Sequence, residues 1–310
     1  MPQRDRLDAL IVGAGMAGLT AALGLQGLGL DTLLIEEMPI PGGQLHEIHA
    51  AIQDFPLAFG CHGTRFAALV LADARKAGLR ILVGSPVAKI SARGRWVERD
   101  GERIHARALL IASGLRRRAL GIPGEREFLG HGVSHSANRD RTLHAGRPVV
   151  VVGGGTAAVE DALLCADVGS QVTLIHRSAR FRARADFLAR ARSAPNIRVI
   201  TNAEVTSIEG KSRVEGVQIQ AKGRRGTRPV GAEGVFVRIG WEARTELLRG
   251  RTPLDRAGYV SARPGGETPV RGVFAAGDVC SPRWPSIANA AGQGAIAAWE
   301  IARFLGRLND

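Results

Sequence analysis

The same strand–turn–helix–strand pattern occurs twice in this sequence of 310 residues, and few folds accommodate it. The first copy starts with an apolar run over Leu7–Val12 and ends, after a helix of small residues, with a second strand over Leu33–Ile35. Its turn has the spacing G-x-G-x-x-G, with Gly13, Gly15 and Gly18. These glycines permit a sharp turn, close approach of a pyrophosphate and tight packing of the helix on the strand. The copy predicts a dinucleotide-binding unit in which Glu36 accepts a hydrogen bond from a ribose hydroxyl.

The second copy predicts another dinucleotide site with a different preference. A strand over Val149–Val152 leads into a turn with small residues at the three required positions, Gly153, Gly155 and Ala158. The next strand, Val172–Ile175, is followed by His176 and Arg177 instead of an acid. Arginine binds a 2′-phosphate that an acid would repel, so Arg177 and the nearby Arg182 favour NADP over NAD.

A third signature, "GVFAAGDV" at 272–279, predicts a strand over Val273–Ala276 followed by Gly277 and Asp278. An acid at the end of a buried strand commonly contacts a ribityl or phosphate group. Antiparallel patterns lie between the signatures, including a hairpin with an Asp100-Gly101 turn. We therefore predict an α/β protein with two Rossmann-like, three-layer ββα dinucleotide-binding domains, the second inserted into the first. The first domain covers 1–116 and 246–310, and the second covers 117–245.

Composition limits the other classes of function. The net charge is +13, but the charges are spread along the chain and no nucleic-acid-binding signature accompanies them. They are expected to attract anions, either dinucleotide phosphates or an acidic electron carrier. The three cysteines are far apart and "HEIH" at 46–49 has the wrong spacing for zinc, so neither a disulfide scaffold nor a metal is expected. No apolar run is long enough to span a membrane and no signal peptide is evident, so we expect a cytoplasmic protein.

Motifs along nearly the whole chain resemble those of the bacterial thioredoxin reductases. They include "PGGQL" at 41–45, "GIPGE" at 121–125, "GGGTAAVEDA" at 153–162, "HRSARFRA" at 176–183 and "GVFAAGDV" at 272–279. The resemblance implies FAD in the first domain, NADPH in the second, a homodimer, and domains that rotate to bring each partner to the flavin.

The resemblance also implies the residues of both sites. Those implied for FAD are Gly13, Gly15, Gly18, Glu36, Gly43, Gln44, Leu45, Asp54, Val87, Ser113, Gly114, Gly277, Asp278 and Ile287. Those implied for NADPH are Gly153, Gly155, Thr156, Ala157, Glu160, His176, Arg177, Arg182 and Ile239.

Three departures from the family pattern affect the expected reaction. Where thioredoxin reductases carry C-A-T-C-D, this chain has Ser136-Ala137-Asn138-Arg139-Asp140, so both redox cysteines are replaced. Asp140, the proton-handling acid of the family and the candidate catalytic residue, is retained. The family's Arg-Gln-Ala after the closing motif is replaced by Pro285-Ser286-Ile287, and Ser178 replaces the second arginine of its "HRR" motif.

These departures leave three hypotheses. The first is a flavoprotein oxidoreductase that uses NAD(P)H and an acceptor other than thioredoxin, such as a ferredoxin-like protein or a small molecule. The thioredoxin-reductase-like ferredoxin–NADP reductases also lack the cysteine pair, although this chain ends before their C-terminal extension. The second is a thiol–disulfide enzyme that uses displaced cysteines, with Cys61 and Cys280 as candidates. The third is a non-catalytic flavin- or dinucleotide-binding redox sensor, and an electron donor other than NADPH also stays open.

Overall fold

A computed structural model describes residues 6–84, 86–280, 283 and 285–308. The chain divides into two compact units. Unit 1 comprises Met1–Arg116 and Glu242–Asp310, and unit 2 comprises Arg117–Trp241. The chain thus re-enters unit 1 at Glu242, slightly before the expected position 246.

Seventeen strands and six α-helices are present in the described residues. The strands are β1 Leu7–Val12, β2 Thr32–Ile35, β3 Ile81–Leu82, β4 Lys89–Ser91, β5 Trp96–Arg99, β6 Glu102–Ile111, β7 Leu115–Arg117, β8 Val133–Ser134, β9 Pro148–Val152, β10 Gln171–His176, β11 Ile197–Thr201, β12 Ala203–Gly210, β13 Val214–Ala221, β14 Arg228–Gly231, β15 Gly234–Val237, β16 Trp241–Ala243 and β17 Val273–Ala275. The helices are α1 Met16–Gly27, α2 Gly63–Lys76, α3 Ala137–Asp140, α4 Thr156–Asp167, α5 Ala185–Ser193 and α6 Ile287–Phe304.

Unit 1 is built on a seven-stranded sheet in the order β3-β2-β1-β6-β5-β4, with β17 also paired to β6. Strands β1, β2, β3 and β17 run parallel to their neighbours, whereas β5 and β4 extend the sheet antiparallel from the start of β6. The predicted hairpin forms between β5 and β6. Its turn residues Asp100 and Gly101 both have positive φ, 53° and 81°, as a type I′ turn requires.

Two helices of small residues, α1 and α6, pack closely in the core of unit 1. A Cβ added to Gly294 of α6 would lie 2.2 Å from the carbonyl oxygen of Ala17 in α1. The small-residue composition of both helices follows from this contact, because a larger side chain at the crossing would separate them.

Unit 2 has a five-stranded parallel sheet, β11-β10-β9-β15-β8, and a separate three-stranded sheet, β12-β13-β14. Alternate residues of the central strand β9 face opposite layers. Val150 and Val152 pack in the core beneath the three-stranded sheet, and Val149 and Val151 pack beneath α4 and α5. This alternation buries both faces of the parallel sheet and produces the expected three layers.

The two segments that join the units, β7 and β16, pair with each other as a short ribbon. The guanidinium of Arg117 lies 4.4 Å from the ring centroid of Trp241, and Arg118 Nε donates to the Trp241 carbonyl at 2.9 Å. The predicted fold class, two Rossmann-like units with the second inserted into the first, is confirmed.

Candidate functional site

The turn between β1 and α1 leaves space for an anion at the helix N-terminus. Gly13 has φ +107°, and a Cβ there would lie 2.3 Å from the Ala112 carbonyl oxygen. A Cβ on Gly18 would lie 1.9 Å from the Gly13 carbonyl oxygen, so helix and turn are in direct contact. No atom lies within 4 Å of the Cβ position of Gly15, and no side chain caps the helix there. The free N–H groups at the start of α1 are therefore open to a phosphate.

Glu36 is held rigidly at the end of β2. Its side chain is buried, and its two carboxylate oxygens accept from the backbone N–H groups of Ala14 at 2.8 Å and Met38 at 3.0 Å. One of these donors belongs to the glycine turn, so the carboxylate and the phosphate-binding backbone are fixed relative to each other. A carboxylate in this position suits a ribose hydroxyl.

A cavity of about 350 Å³ opens beside Glu36 at the carboxyl ends of β1, β2 and β6. It is lined by Val12, Gly13, Ile35, Glu36, Glu37, Val87, Ile90, Ile111, Ser113, Arg116, Arg244, Glu246, Leu247 and Leu248. This size is within the ordinary range for small-molecule sites, and its place at the strand ends is where doubly wound folds bind nucleotides. Four predicted residues, Gly13, Glu36, Val87 and Ser113, thus line one cavity.

A second group of predicted residues lies around Gln44. Gln44 Nε2 donates to Asp278 Oδ2 at 3.1 Å, and the other oxygen of Asp278 is buried without a hydrogen-bond partner. Burial raises the pKa of Asp278, and the Gln44 hydrogen bond opposes that change. An orphaned acceptor of this kind suits a hydroxyl donor such as a ribityl group, so the residues present fit FAD.

Most of the other predicted flavin residues have contacts in unit 1, whereas Asp54 is exposed. A Cβ on Gly43 would lie 3.1 Å from Gly15 Cα, which places this turn against the phosphate-binding one. Leu45 and Ile287 share one buried cluster. Gly277 donates its N–H to Gln293 Oε1 at 2.7 Å, and Gly114 accepts from Arg244 N at 3.1 Å. Asp54 is exposed, and the described residues give its side chain no hydrogen bond.

Sequence reasoning missed one wall of the cavity. No role in the site was predicted for the segment from Arg244 to Leu248, but Arg244 forms an ion pair with Glu37, and Ser113 Oγ donates to the Arg244 carbonyl at 2.8 Å. The tandem Glu36-Glu37 was the available signal, because two adjacent acids favour a nearby cation.

In unit 2, the arginine-rich segment after β10 lies over the second glycine turn. Arg182 N donates to the Gly154 carbonyl at 2.8 Å, and Arg184 N donates to Thr156 Oγ1 at 3.2 Å. A Cβ on Gly153 would lie 2.3 Å from the Arg238 carbonyl oxygen, so this turn is as close to its strand as the first one. As at Gly15, no atom lies within 4 Å of the Cβ position of Gly155.

The arginines predicted to select NADP are free to bind a ligand. Arg177 and Arg182 are exposed, and within the described residues their guanidinium groups have no protein partner. His176 is buried, and its ring fills the space where a Cβ on Gly154 would stand, 2.1 Å away. The other predicted residues lie around the same turn: Ala157 and Glu160 are exposed on the first turns of α4, and Ile239 follows β15.

Charge-assisted hydrogen bonds to Asp140 hold the segment 136–140, which stands in the place of the redox motif. Arg139 donates to both carboxylate oxygens of Asp140, each at 2.8 Å, and Ser134 Oγ donates to the same carboxylate at 2.6 Å. The arginine in the position of a redox cysteine therefore binds the acid proposed to handle protons. Asp140 as a catalytic group stays a prediction.

A buried ion pair, Arg238–Asp161, makes further hydrogen bonds to the same segment. Arg238 Nε lies 3.1 Å from Asp161 Oδ2, and the Asp161 side chain is only 2% exposed. Asp161 accepts from Ala137 N at 3.1 Å, and Arg238 Nη1 donates to the His135 carbonyl at 2.8 Å. Burial raises the pKa of Asp161, while the charge of Arg238 opposes that change.

All three cysteines are free thiols. Burial raises the pKa of Cys165 to about 12 and that of Cys280 to about 11, with the charge of Asp278 adding to the effect at Cys280. Cys280 Sγ donates to the Gly277 carbonyl at 3.3 Å. Both groups are thiols at neutral pH, which disfavours them as nucleophiles.

Within the described residues, no group of three or more His, Cys, Asp or Glu side chains is arranged to hold a metal ion. In the same part of the chain, none of the helices combines the length and hydropathy needed to cross a membrane.

Comparison with known proteins gives a consistent picture. The family model for pyridine nucleotide-disulphide oxidoreductases matches residues 7–294. A thioredoxin reductase of Streptomyces clavuligerus is 33% identical over 99% of this chain and 96% of its own length. A 34.2 kDa protein in the rubredoxin operon of Clostridium pasteurianum is 31% identical over 99% of each chain. The solved thioredoxin reductase of Lactococcus lactis has 28% identity and a TM-score of 0.82, covering 98% of this chain and all of its own.

Proposed function

The chain belongs to the pyridine nucleotide-disulphide oxidoreductases, a family of flavin-dependent oxidoreductases, and we propose from that premise that it passes electrons from NADPH to an acceptor other than thioredoxin. The proposed cofactor is FAD, bound in unit 1, with NADPH bound in unit 2. FAD, when bound, exchanges electrons with a nicotinamide on one side and with an acceptor on the other.

The observation that carries this proposal is the segment 136–140. Disulfide reduction requires one thiolate that attacks and a second that releases the mixed disulfide. Ser136 has no sulfur, and Arg139 is committed to Asp140 through two hydrogen bonds. The remaining cysteines are free thiols, and two of them have pKa values of about 11 and 12, so displaced cysteines are poorly suited to replace the missing pair.

The chain's own residues support binding and orientation of both nucleotides. In unit 1, the open N-terminus of α1 suits the pyrophosphate of FAD, Glu36 its ribose and Asp278 its ribityl chain. In unit 2, the exposed Arg177 and Arg182 suit a 2′-phosphate on NADPH. The acceptor is a small electron-transfer protein or a small molecule. The description of the Clostridium relative as a protein of a rubredoxin operon favours a protein.

The proposal includes a homodimer in the cytoplasm. The exposed apolar side chains of Ile296 and Trp299 on α6 support self-association, since Trp299 is 57% exposed. Three unpaired cysteines suit a reducing compartment. Light scattering coupled to size-exclusion chromatography measures the mass, and a monomer at micromolar concentration would refute the dimer.

The visible spectrum of the purified protein under NADPH tests the proposed function. We expect a yellow protein that bleaches when NADPH is added without oxygen. The reduced protein should then reduce ferricyanide but not thioredoxin. A protein that does not bleach has another donor or acts as a sensor. NADPH-dependent reduction of thioredoxin would refute the proposal.

A further inference from the structure

Three arginines lie at the end of the unit 1 sheet where β1 and β17 begin. Arg6 Nε donates to the Ala106 carbonyl at 2.8 Å, and Ala106 N donates to the Arg95 carbonyl at 2.9 Å, so Arg6 and Arg95 flank one residue of β6. Arg271 precedes Gly272, and a Cβ on Gly272 would lie 2.9 Å from Cδ of Arg95. Because the cofactor turn follows the carboxyl end of β1, this cluster lies at the opposite end of the sheet.

The positive charges around Arg95 are not offset by a carboxylate. Burial lowers the pKa of Arg95, and the charges of Arg6 and Arg271 lower it further, with no carboxylate acting in the other direction. Arg116 shows the usual case, since its pKa is raised by the carboxylates of Glu242 and Glu246.

Arg95 carries two further unfavourable features. Its Nε is buried without a hydrogen-bond partner. Its backbone has φ 50°, in the left-handed region that costs an ordinary residue about 1 kcal/mol or more. Repulsion, a missing hydrogen bond and backbone strain thus coincide at one residue, and a bound anion would offset the repulsion.

We propose that Arg6, Arg95 and Arg271 form a binding site for a small multivalent oxyanion of the phosphate type. Guanidinium groups present planar pairs of donors that match the oxygens of such anions. Arg6 and Arg271 are exposed and Arg95 is half-buried, so the anion would bind from the solvent side between the two exposed guanidinium groups. The site is separate from both nucleotide sites and does not depend on the proposed oxidoreductase function.

Calorimetric titration of the flavin-loaded protein with inorganic pyrophosphate, at constant ionic strength and with saturating NADP⁺ to occupy the nucleotide site of unit 2, tests the site. We expect one saturable site whose dissociation constant rises at least about tenfold in Arg95→Gln and in Arg271→Gln, since each variant loses a charge-assisted contact. Arg271 is exposed, so its replacement retains the fold even if Arg95→Gln does not.

Two matched controls separate this site from general charge. Arg93→Gln removes an exposed arginine from the same turn, and Arg192→Gln removes one from α5 of unit 2; both should leave pyrophosphate binding within about twofold. No binding in the parent protein, or binding lost in Arg192→Gln but retained in Arg271→Gln, overturns the proposal. Binding of a poly-aspartate peptide without binding of pyrophosphate also overturns it, in favour of an acidic protein partner.

Thermal stability provides an independent signature. In low salt without oxyanion, Arg271→Gln should raise the unfolding midpoint because it relieves repulsion, and the same variant should lose the stabilisation by pyrophosphate. Arg93→Gln should change neither quantity. Equal behaviour of the two variants would identify the arginines as an ordinary solvated surface.

Discussion

Glu36 is the residue whose replacement should affect flavin binding most directly. Glu36→Arg removes the acceptor of the Ala14 and Met38 N–H groups and places a positive charge beside the open end of the cavity. We expect the variant to purify with little flavin, measured as the ratio of absorbance at the flavin band to that of the protein. Glu102→Arg, on the exposed start of β6, is the matched control and should retain its flavin. Full flavin content in Glu36→Arg would show that the flavin is not bound through Glu36, and the assignment of FAD to unit 1 would be wrong.

Arg177 should determine the preference between the two nicotinamide nucleotides. A charge-assisted contact to phosphate contributes roughly 1.5–3 kcal/mol, so Arg177→Ala should raise the NADPH dissociation constant by about tenfold or more. NADH lacks the phosphate, and its affinity should stay nearly constant. Fluorescence titration measures both, with Arg192→Ala on α5 as the control arginine. Equal affinities of the parent protein for NADPH and NADH would contradict this assignment.

Cys280 should react slowly with alkylating reagents. With a pKa of about 11, only a small fraction of Cys280 is thiolate at pH 8. That fraction is on the order of a hundredfold lower than the thiolate fraction of an ordinary cysteine. Peptide mapping after timed treatment with iodoacetamide measures the rate, and the urea-unfolded protein is the reference.

Replacing Cys61, Cys165 and Cys280 together by Ser should leave ferricyanide reduction within a few-fold. A triple variant that keeps its flavin and loses turnover would favour the displaced-cysteine hypothesis.

At the scale of single elements, the segment leading into α3 allows a test of the proposal that this chain does not act as a dithiol enzyme. Ser136 is the residue before the helix and Arg139 lies three positions later, the spacing of a redox cysteine pair. Ser136→Cys with Arg139→Cys also releases Asp140 from its guanidinium partner. We expect NADPH-dependent reduction of an aromatic disulfide chromogen to appear in this double variant and in neither single variant. No activity in the double variant would indicate that Pro285-Ser286-Ile287 or the domain geometry differs as well.

The strands and helices of the glycine-rich signatures were predictable because their signals are local. The glycine turns, the apolar run of β1 and the Asp100-Gly101 hairpin each occupy a few consecutive residues, and the structure contains all of them. The predicted end of β17, Ala276, was one residue too late, because the strand ends at Ala275 and the chain then enters the Gly277 turn.

The contacts between distant elements left no such signal. The buried Arg238–Asp161 pair joins residues far apart in the sequence, and the Arg244–Glu37 pair joins the return segment to β2. Gly154 also escaped prediction, since the dinucleotide pattern does not require it and its role is contact with the ring of His176. Pairings of this kind depend on the assembled sheet, so they follow from the tertiary structure alone.

At the scale of the whole molecule, the repeated unit supports the proposal that one chain binds two nucleotides. Both units end a parallel strand in a glycine turn with an open helix N-terminus, at Gly15 and at Gly155. They differ at the end of the next strand: Glu36 follows β2 in unit 1, whereas β10 ends at His176 and is followed by Arg177 in unit 2. We therefore propose that the same backbone geometry binds FAD in one unit and NADPH in the other, with the choice made by single side chains.

The net charge of +13 allows a test of the acceptor that involves the whole molecule. If the acceptor is an acidic electron-transfer protein, long-range attraction should accelerate encounter, and salt should screen that attraction. We expect kcat/KM for an acidic iron–sulfur protein to fall at least about tenfold between 50 and 500 mM NaCl. The rate with an uncharged quinone should change by less than about twofold, because a neutral acceptor is not steered. Salt-independent rates with the acidic protein, together with full activity towards the quinone, would assign the physiological role to a small-molecule acceptor.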